Sequence, residues 1–283
     1  MSTLYISDLD GTLLTNDATL SEFSRNTLQT LLNDGLSFSV ASARSVVAMQ
    51  AMFDGLRLKL PVIEFNGAFL SDLDTGRHEI INAIGPEVAE DVYNVIINSG
   101  CAPFVSTFNG NEDCVYHLEA INDGMHWYIN DRHEKKDSRF RSVDDLIPSL
   151  QEQVVCLTVI AEAGNLSELE SAILERHEGM VEIHHFENHY SPGWYWLTVH
   201  DRRATKDQAI RALMDNYGLN DSDLIVFGDH INDIKIFQIA TESVAVANAT
   251  DELKQHATHI IGSNQEDSVV KYIQGHWKNS RRI

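Results

Sequence analysis

The sequence predicts an α/β protein in which a parallel-sheet core is built from both ends of the chain and an α+β domain is inserted between its halves. Three observations predict this arrangement. Strand and helix signals alternate over the first 65 residues, the pattern changes from about Ile84, and the alternation returns after Val199. A length of 283 residues also fits two domains of roughly 150 residues each.

The N-terminal segment predicts a βαβαβ unit. Apolar runs indicate strands at 4–6, 36–40 and 61–65. A periodic segment from Ser21 to Asp34, closed by Gly35, predicts the first helix, and a shorter helix begins at Ser45. This order implies parallel strands with right-handed crossovers, followed by a pair of short strands at 68–70 and 79–81.

The middle of the chain predicts an antiparallel sheet with helices. Pro86 opens a helix that ends at Asn98 before Gly100. A polar helical stretch follows the second strand of this block, a segment at 144–150 comes next, and a further helix is expected at 166–176. The strands are expected at 104–108, 115–118, 154–161, 181–186 and 194–199. We place the inserted domain at 84–188 and the core at 1–83 together with 189–283.

The C-terminal segment returns to alternating elements. A helix is expected at 206–217 before Gly218, and a buried strand at 224–227. A helix at 231–239, strands at 244–246 and 259–261, and a last helix from Asp267 complete the core.

Composition and charge narrow the possible partners. The hydrophobic fraction of 43% is enough for a buried core, and 21 basic against 42 acidic residues give a net charge of −21. Such a field disfavours nucleic acid and anionic membranes as partners. Cys101, Cys114 and Cys156 form no metal or disulfide pattern, and no signal peptide or membrane span is visible, so we expect a cytoplasmic protein. Nothing in the sequence indicates an oligomeric state.

Two carboxylates follow the first strand in the segment Asp8-Leu9-Asp10-Gly11-Thr12. Ligands of open α/β sheets bind at the carboxyl ends of the strands, and residues two apart in an extended segment face the same side. Two close carboxylates require a cation, a shared proton or a cationic side chain. The alternatives are a solvated turn or a calcium loop, but Leu13 stands where an EF-hand needs glycine and no glutamate closes the loop.

A second acidic strand end is Gly228-Asp229-His230-Ile231-Asn232-Asp233. If a helix starts near Asp229, Asp229 and Asp233 share one face at its N-terminus. One interpretation is an N-cap beside a solvated carboxylate. Two acidic strand ends in one sheet instead favour a Mg²⁺ site that also takes a substrate phosphate.

Two weaker signals lie between these segments. The hydroxyl of Ser42 and the backbone amides of the Ala41-Ser42-Ala43-Arg44 loop could hold an oxyanion, although Ser42 or Ser45 could also be ordinary loop or N-cap residues. Lys206 opens a helix, where a positive charge is unfavourable, and this indicates an anionic partner or a solvated lysine.

Taken in order, these four motifs resemble those of the haloacid dehalogenase-like hydrolase superfamily. The large insertion before Lys206, the turn Asn66-Gly67-Ala68 and the stretch Ala247-Asn248-Ala249 are similar to its Cof-type phosphatases. The resemblance spans the whole chain and implies a Rossmann-like parallel-sheet core with an inserted α+β cap domain. One departure is Ser42-Ala43-Arg44 where the subfamily usually has Thr-Gly-Arg, and the added Cβ at Ala43 could reshape the phosphate loop.

The resemblance implies a role for each motif residue. Asp8 would be the nucleophile that forms an aspartyl-phosphate, and Asp10 the general acid and base. The cofactor would be Mg²⁺, bound by the Asp8 carboxylate, the Asp10 carbonyl and Asp229, with Asp233 in support. The phosphoryl oxygens would be held by Ser42, Lys206, Asn232 and the backbone amides of Leu9 and Ala43.

These roles favour hydrolysis of a small phosphorylated metabolite, such as a sugar phosphate or a phosphorylated cofactor. A dehalogenase needs no acid at Asp10, and the transport ATPases that resemble this fold carry threonine there. Two alternatives stay open: a phosphotransferase or phosphomutase acting on sugar phosphates, and a non-catalytic regulator that binds a phosphorylated metabolite.

The insert would close over the site and set substrate choice. A cluster near its end suggests a substrate pocket or a metal site, but alternating histidine and aromatic residues are also typical of half-buried sheet positions. Its members are His184, His185, His189, Trp194 and Trp196.

Overall fold

The computed structural model describes residues 2–188 and 191–280. These residues form two compact units. The core unit comprises the residues up to Ile80 together with those from Thr205, and the inserted unit comprises Ile81–Ala204. No helix in the described part of the chain is both long enough and apolar enough to cross a membrane.

The N-terminal part of the core unit alternates strands and helices as predicted. The first strand is buried along its whole length, and Ser21 caps the first helix by accepting a hydrogen bond from the amide of Ser24 at 3.0 Å. The elements are β1 (Thr3–Ser7), α1 (Glu22–Asn33), β2 (Ser37–Val40), α2 (Val46–Met52), β3 (Val62–Glu64), β4 (Phe69–Ser71) and β5 (His78–Ile81).

The inserted unit contains six strands and three helices among the described residues. Pro86 stands at the first turn of its first helix, where a missing amide hydrogen costs nothing. The elements are α3 (Pro86–Asn98), β6 (Pro103–Phe108), β7 (Asp113–His117), α4 (Asp123–Glu134), β8 (Phe140–Ser142), β9 (Gln153–Ala161), α5 (Ala163–His177), β10 (Val181–Glu187) and β11 (Tyr195–Asp201).

The C-terminal part of the chain completes the core unit. Its elements are α6 (Lys206–Asn216), β12 (Asp223–Gly228), α7 (Ile234–Ile239), β13 (Glu242–Ala245), α8 (Asp251–Lys254), β14 (His259–Ile260) and α9 (Ser268–Ser280).

The core sheet is parallel and runs in the order β14-β13-β12-β1-β2. Strand β1 therefore lies between two strands from different parts of the chain, β12 and β2. Its register pairs Ser7 with both Phe227 and Val40, so the three strands end at the same level. The residues that follow each of these strands lie at one edge of the sheet, where an open α/β sheet binds its ligands.

The third predicted strand differs from expectation. β3 belongs to a separate sheet in the order β3-β4-β5, and a single parallel bridge between Ala41 and Ile63 joins it to the extension of β2. Because β3 has only three residues, it forms a single bridge with the chain after β2, and its other edge pairs with β4.

The inserted unit is built on a sheet in the order β10-β11-β9-β6-β7-β8. Neighbouring strands are antiparallel except β7 and β8. A buried core of its own includes Ile96, Leu157, Ile173 and Leu197. The fold class predicted from the sequence, a parallel-sheet core with an inserted α+β domain, is confirmed.

The boundaries of the inserted unit lie outside those of the sequence analysis. The sequence pattern places the insert at 84–188, whereas the compact unit extends from Ile81 to Ala204. The physical reason is β11, which pairs on both sides with strands of the insert: Leu197 lies opposite His185 on β10 and Val159 on β9. A strand held by two neighbours in this way belongs to their sheet.

Candidate active site

The first acidic segment begins where β1 ends. The amide of Asp8 donates to the carbonyl of Phe227 at 3.0 Å and continues the pairing with β12. The chain then turns through Leu9–Leu13, with Gly11 at a φ of 74°. A Cβ at Gly11 would lie 2.9 Å from Cγ of Asp229, so only glycine lets the two acidic strand ends approach this closely.

Short-range contacts tie the two strand ends together. Thr12 donates its hydroxyl to Oδ1 of Asp229 at 2.9 Å, and the side-chain amide of Asn248 donates to the carbonyl of Gly11 at 2.7 Å. Asn248 in turn accepts from the amide of Asn264 at 2.9 Å. Asp229 is thus oriented by a hydroxyl from the first segment, which is the kind of supporting contact that fixes a ligand carboxylate.

Asp233 lies at the back of the same edge and is fully buried. Its Oδ2 accepts from the amides of Asp229 and His230 at 3.1 and 3.3 Å. The helix does not start at Asp229: a 3-10 turn, Ile231–Asp233, precedes α7. The Asp233 side chain caps that turn, and its placement beside Asp229 results from the turn and not from a helical face.

Lys206 lies between two carboxylates at the start of α6. Its Nζ donates to Oδ1 of Asp8 at 2.6 Å and to Oδ1 of Asp233 at 2.7 Å, and only 2% of its side chain is exposed. Burial alone would lower the pKa of Lys206, but the Asp233 and Asp8 carboxylates raise it, so the lysine stays cationic. The unfavourable charge at this helix start is therefore balanced by an ion pair.

Three carboxylates converge at this edge. Oxygens of Asp8, Asp229 and Asp233 lie within 4.8 Å of one another, and no other such group of metal-ligating side chains occurs among the described residues. Burial raises the pKa of Asp8 well above its usual range, with Lys206 opposing and Asp233 adding to the effect. Burial and then Asp233 raise the pKa of Asp229 to about 6.

Burial is the main cause of these raised pKa values, and the neighbouring carboxylates add to it. Three carboxylates against one lysine leave a formal charge of −3 + 1 = −2. Hard oxygen donors around a charge of −2 fit a divalent cation such as Mg²⁺, which is held by one or two carboxylates and keeps positions for a substrate phosphate. The residues present therefore fit the cofactor that the motifs imply.

Asp10 lies apart from this group and is paired with an arginine. Its side chain is 47% exposed, and Arg44 donates to both of its oxygens, from Nε to Oδ2 at 2.7 Å and from Nη2 to Oδ1 at 2.6 Å. A role for Arg44 cannot be predicted from the sequence, because an ion pair between residues 34 positions apart leaves no local pattern.

The Ser42 loop lies beside the same edge. Ser42 is buried, its amide donates to the carbonyl of Ile63 at 3.0 Å, and its Oγ accepts from the amide of Arg44 at 3.1 Å. Among the described residues the hydroxyl hydrogen of Ser42 has no acceptor within hydrogen-bond distance, which leaves it available for a ligand. Ala43 has no positive φ, so a Cβ in place of the usual glycine does not strain this loop.

The other two predicted phosphate-binding residues lie at the same edge. The side chain of Leu9 is buried in the core, and only its backbone is placed at the turn after β1. Asn232 is half-buried in the 3-10 turn beside Asp233.

The histidine and tryptophan cluster occupies sheet positions in the inserted unit. His185 contacts Glu170 at 3.0 Å, and the ring of His184 packs edge-on against His200. Trp196 is buried against Trp127 and Tyr128. The structure also describes Trp194, which packs against the same cluster, while His189 lies outside the described residues.

The fold and the strand-end carboxylates together define a hydrolase of the class that the four motifs predict. The model of the haloacid dehalogenase-like hydrolases matches residues 5–273, so this chain belongs to that family.

Two curated relatives and a solved structure span nearly the whole chain. It is 24% identical over 274 residues to the 5-amino-6-(5-phospho-D-ribitylamino)uracil phosphatase YitU of Bacillus subtilis strain 168, covering 94% of each chain. It is 24% identical over 285 residues to the pyridoxal phosphate phosphatase YbhA of Escherichia coli strain K12, covering 95% of this chain and 96% of that one. The structure of TM0651 from Thermotoga maritima matches at 25% identity with a TM-score of 0.78 over 97% of each chain.

These comparisons confirm two expectations. The resemblance to the Cof-type phosphatases is confirmed, and so is the enzyme class, a phosphoric monoester hydrolase.

Proposed function

We propose that this protein is a Mg²⁺-dependent phosphatase that hydrolyses a small phosphorylated metabolite through an aspartyl-phosphate on Asp8. The observation that carries the proposal is the buried ion pair between Asp8 and Lys206, beside Asp229 and Asp233. A carboxylate with a purely structural role would gain nothing from so many acidic neighbours. A nucleophile that approaches an anionic phosphate needs positive charge nearby, and the acidic groups hold that positive charge in place.

In the first step, an oxygen of Asp8 attacks phosphorus and the bond to the ester oxygen breaks. Asp10, in its protonated form, gives its proton to the departing oxygen, which leaves as an alcohol. In the second step, Asp10 takes a proton from water, the resulting hydroxide attacks the same phosphorus, and the bond to Asp8 breaks. Inorganic phosphate leaves and both carboxyl groups return to their starting state.

The chain supplies several donors for the phosphoryl oxygens. Lys206 already contacts the Asp8 oxygen, so a phosphoryl group bonded to Asp8 lies within its reach. The free hydroxyl hydrogen of Ser42 and the side chain of Asn232 complete the set, with the backbone amides of Leu9 and Ala43. Holding the phosphoryl group in line for attack is most of what this reaction requires of a protein.

Asp8, Asp229 and Asp233, with the carbonyl of Asp10, would hold Mg²⁺. When bound, the ion would neutralise the repulsion between the anionic nucleophile and the anionic phosphate. Thr12 would keep the Asp229 carboxylate oriented toward it.

The inserted unit is proposed to act as the cap that selects the substrate. Its own sheet and its own core make it a unit that can vary independently of the strand-end residues. The relatives are named for a phosphorylated ribitylaminouracil, pyridoxal phosphate and, in Cronobacter sakazakii, HMP-PP. A sugar phosphate or a phosphorylated cofactor is therefore the proposed substrate class.

The test is phosphate release from a panel of sugar phosphates, phosphorylated cofactors, nucleotides and an aryl phosphate, with Mg²⁺ or with chelator. We expect release by the wild type with Mg²⁺ only, and a loss of more than about a thousandfold in Asp8→Asn. Asp251→Asn removes a fully exposed aspartate of the same unit and is the matched control, with unchanged activity. Acid-quenched protein from a ³²P-labelled ester should carry label on the wild type and none on Asp8→Asn.

Other outcomes distinguish the alternatives. Transfer of phosphate to an added acceptor alcohol in preference to water would indicate a phosphotransferase. Tight binding of a phosphorylated ligand by folded, Mg²⁺-loaded protein without turnover or label would contradict the proposal and indicate a regulator.

A further inference from the structure

The guanidinium of Arg44 engages the whole carboxylate of Asp10. Two parallel N–H donors meet two oxygens at 2.7 and 2.6 Å, the arrangement that makes arginine–carboxylate pairs strong and directional. The pair faces solvent, with 24% of the Arg44 side chain and 47% of the Asp10 side chain exposed. Both oxygens of Asp10 therefore accept hydrogen bonds from the guanidinium.

The backbone of Arg44 is held independently of this pair. Its amide donates to Oγ of Ser42 at 3.1 Å, and its carbonyl accepts from the amide of Phe65 at 3.2 Å. Two residues later, the amide of Val46 donates to the buried carboxylate of Glu64 at 2.5 Å. A change of partner by the Arg44 side chain therefore breaks none of these backbone hydrogen bonds.

Arg44 is also the cation beside the departing oxygen. A leaving oxygen that hydrogen-bonds to Asp10 is two hydrogen bonds, or about 5–6 Å, from a donor that contacts Asp10. The other charged groups of this edge, Asp8, Asp229, Asp233 and Lys206, already contact one another. An anionic substituent on the leaving group thus has Arg44 as its partner.

We infer that Arg44 selects esters whose leaving group carries a second anionic group, a carboxylate or a phosphate. This inference rests on the proposed phosphatase reaction. That group takes the place of Asp10 on the guanidinium, and Asp10 is freed to face the departing oxygen. The exchange replaces one charged hydrogen-bonded pair with another of the same kind, so it costs little. A neutral leaving group offers no replacement and leaves Asp10 bound to Arg44.

The test compares two esters that differ in this one group. 3-Phosphoglycerate and glycerol 3-phosphate share the phosphate and the carbon chain, and one carries a carboxylate where the other has a hydroxymethyl group. In the wild type we expect kcat/KM to favour 3-phosphoglycerate by about tenfold or more, the range for a charged hydrogen bond. Arg44→Gln should bring the ratio to about one, mainly by raising kcat/KM for glycerol 3-phosphate, because Asp10 is then free with either ester.

Two further variants separate charge from structure. Arg44→Lys keeps the charge without the two-pronged geometry and should retain part of the preference. Arg77→Gln removes an arginine of the same unit that is 75% exposed and should leave the ratio unchanged. Thermal denaturation of each variant shows that it is folded.

The inference is overturned if the wild type shows no preference, or if Arg44→Gln lowers kcat/KM for both esters by the same factor. The second result would give Arg44 a purely structural role. If Asp8-dependent release is seen but the ratio does not respond to Arg44, the proposed phosphatase stands and only this inference fails. If neither these esters nor an aryl phosphate is hydrolysed, the proposed function fails and this inference fails with it.

Discussion

Replacing Gly11 with alanine should weaken the metal site through a single added methyl group. Gly11 has a φ of 74°, and the new Cβ would lie 2.9 Å from Cγ of Asp229, where 3.4 Å is the start of ordinary contact. Oδ2 of Asp229 lies closer still to that position, so the carboxylate would have to move by at least about 3.4 − 2.9 = 0.5 Å. Mg²⁺ tolerates errors of only about 0.2 Å in its ligand distances, so the displaced carboxylate would no longer be a good ligand.

The backbone strain of this change needs its own control. Alanine in the left-handed region costs about 1–2 kcal/mol at any site. Gly218 has a φ of 65° in the same unit, and a Cβ there would meet no atom within 4 Å. Gly218→Ala therefore measures the backbone cost alone, and only Gly11→Ala should change the response to Mg²⁺.

The assay is a Mg²⁺ titration of phosphate release, together with Mg²⁺-dependent thermal stabilisation as a readout that needs no turnover. We expect the half-saturating Mg²⁺ concentration to rise about 10- to 100-fold in Gly11→Ala, the range for disturbed supporting contacts of a metal ligand. At a fixed high Mg²⁺ concentration, a tenfold weaker affinity removes about 1.4 kcal/mol of stabilisation. Equal half-saturating concentrations in the two glycine variants would refute the argument.

Three further predictions follow from charged and buried groups. Lys206→Met leaves Asp8 and Asp233 buried without their cation. The free energy of unfolding without metal should therefore fall by about 3–5 kcal/mol, and a fall of less than about 1 kcal/mol in chemical denaturation would contradict this. Asp10→Asn should slow hydrolysis of alkyl phosphates by about 10²–10⁴-fold and aryl phosphates much less, because a good leaving group needs no proton; equal losses on both would exclude an acid role. Burial lowers the pKa of His200 to about 3. Below pH 6.5 this histidine is therefore protonated in the unfolded chain but stays neutral in the folded chain, so stability falls as the pH falls. The wild type should therefore lose about 1.6 kcal/mol more than His200→Gln between pH 6.5 and 5, measured by urea unfolding with tryptophan fluorescence. Identical pH slopes would show that His200 is not the group responsible.

The positions of the strand ends could be predicted because they depend on short-range patterns. An apolar run predicts a buried strand, and acidic residues directly after it predict carboxylates at the end of that strand. The pattern occurs twice, with Asp8 and Asp229 as the first acidic residues. The helix Pro86–Asn98 was predicted with its observed bounds, since proline at the start and glycine after the end are strong local signals.

Contacts between distant polar side chains could not be predicted in this way. The partners of Lys206 are 198 and 27 residues away, and only the folded chain shows that one ammonium joins both carboxylates. The pairing of Asp10 with Arg44 is likewise invisible in the sequence. The strand Phe140–Ser142 was missed because three residues at a sheet edge carry too few apolar positions to give a pattern.

The interrupted core also sets the order in which this protein can fold as it is synthesised. Strand β1 pairs with β12, and more than two hundred residues are made between the two. Every strand of the inserted sheet, by contrast, lies between Pro103 and Asp201. The inserted unit is therefore complete on the ribosome first. Until β12 is made, the edge of β1 that pairs with it stays exposed. The centre that joins Asp8 to Asp229 can form only after residue 229 has been made, when the inserted unit is already complete.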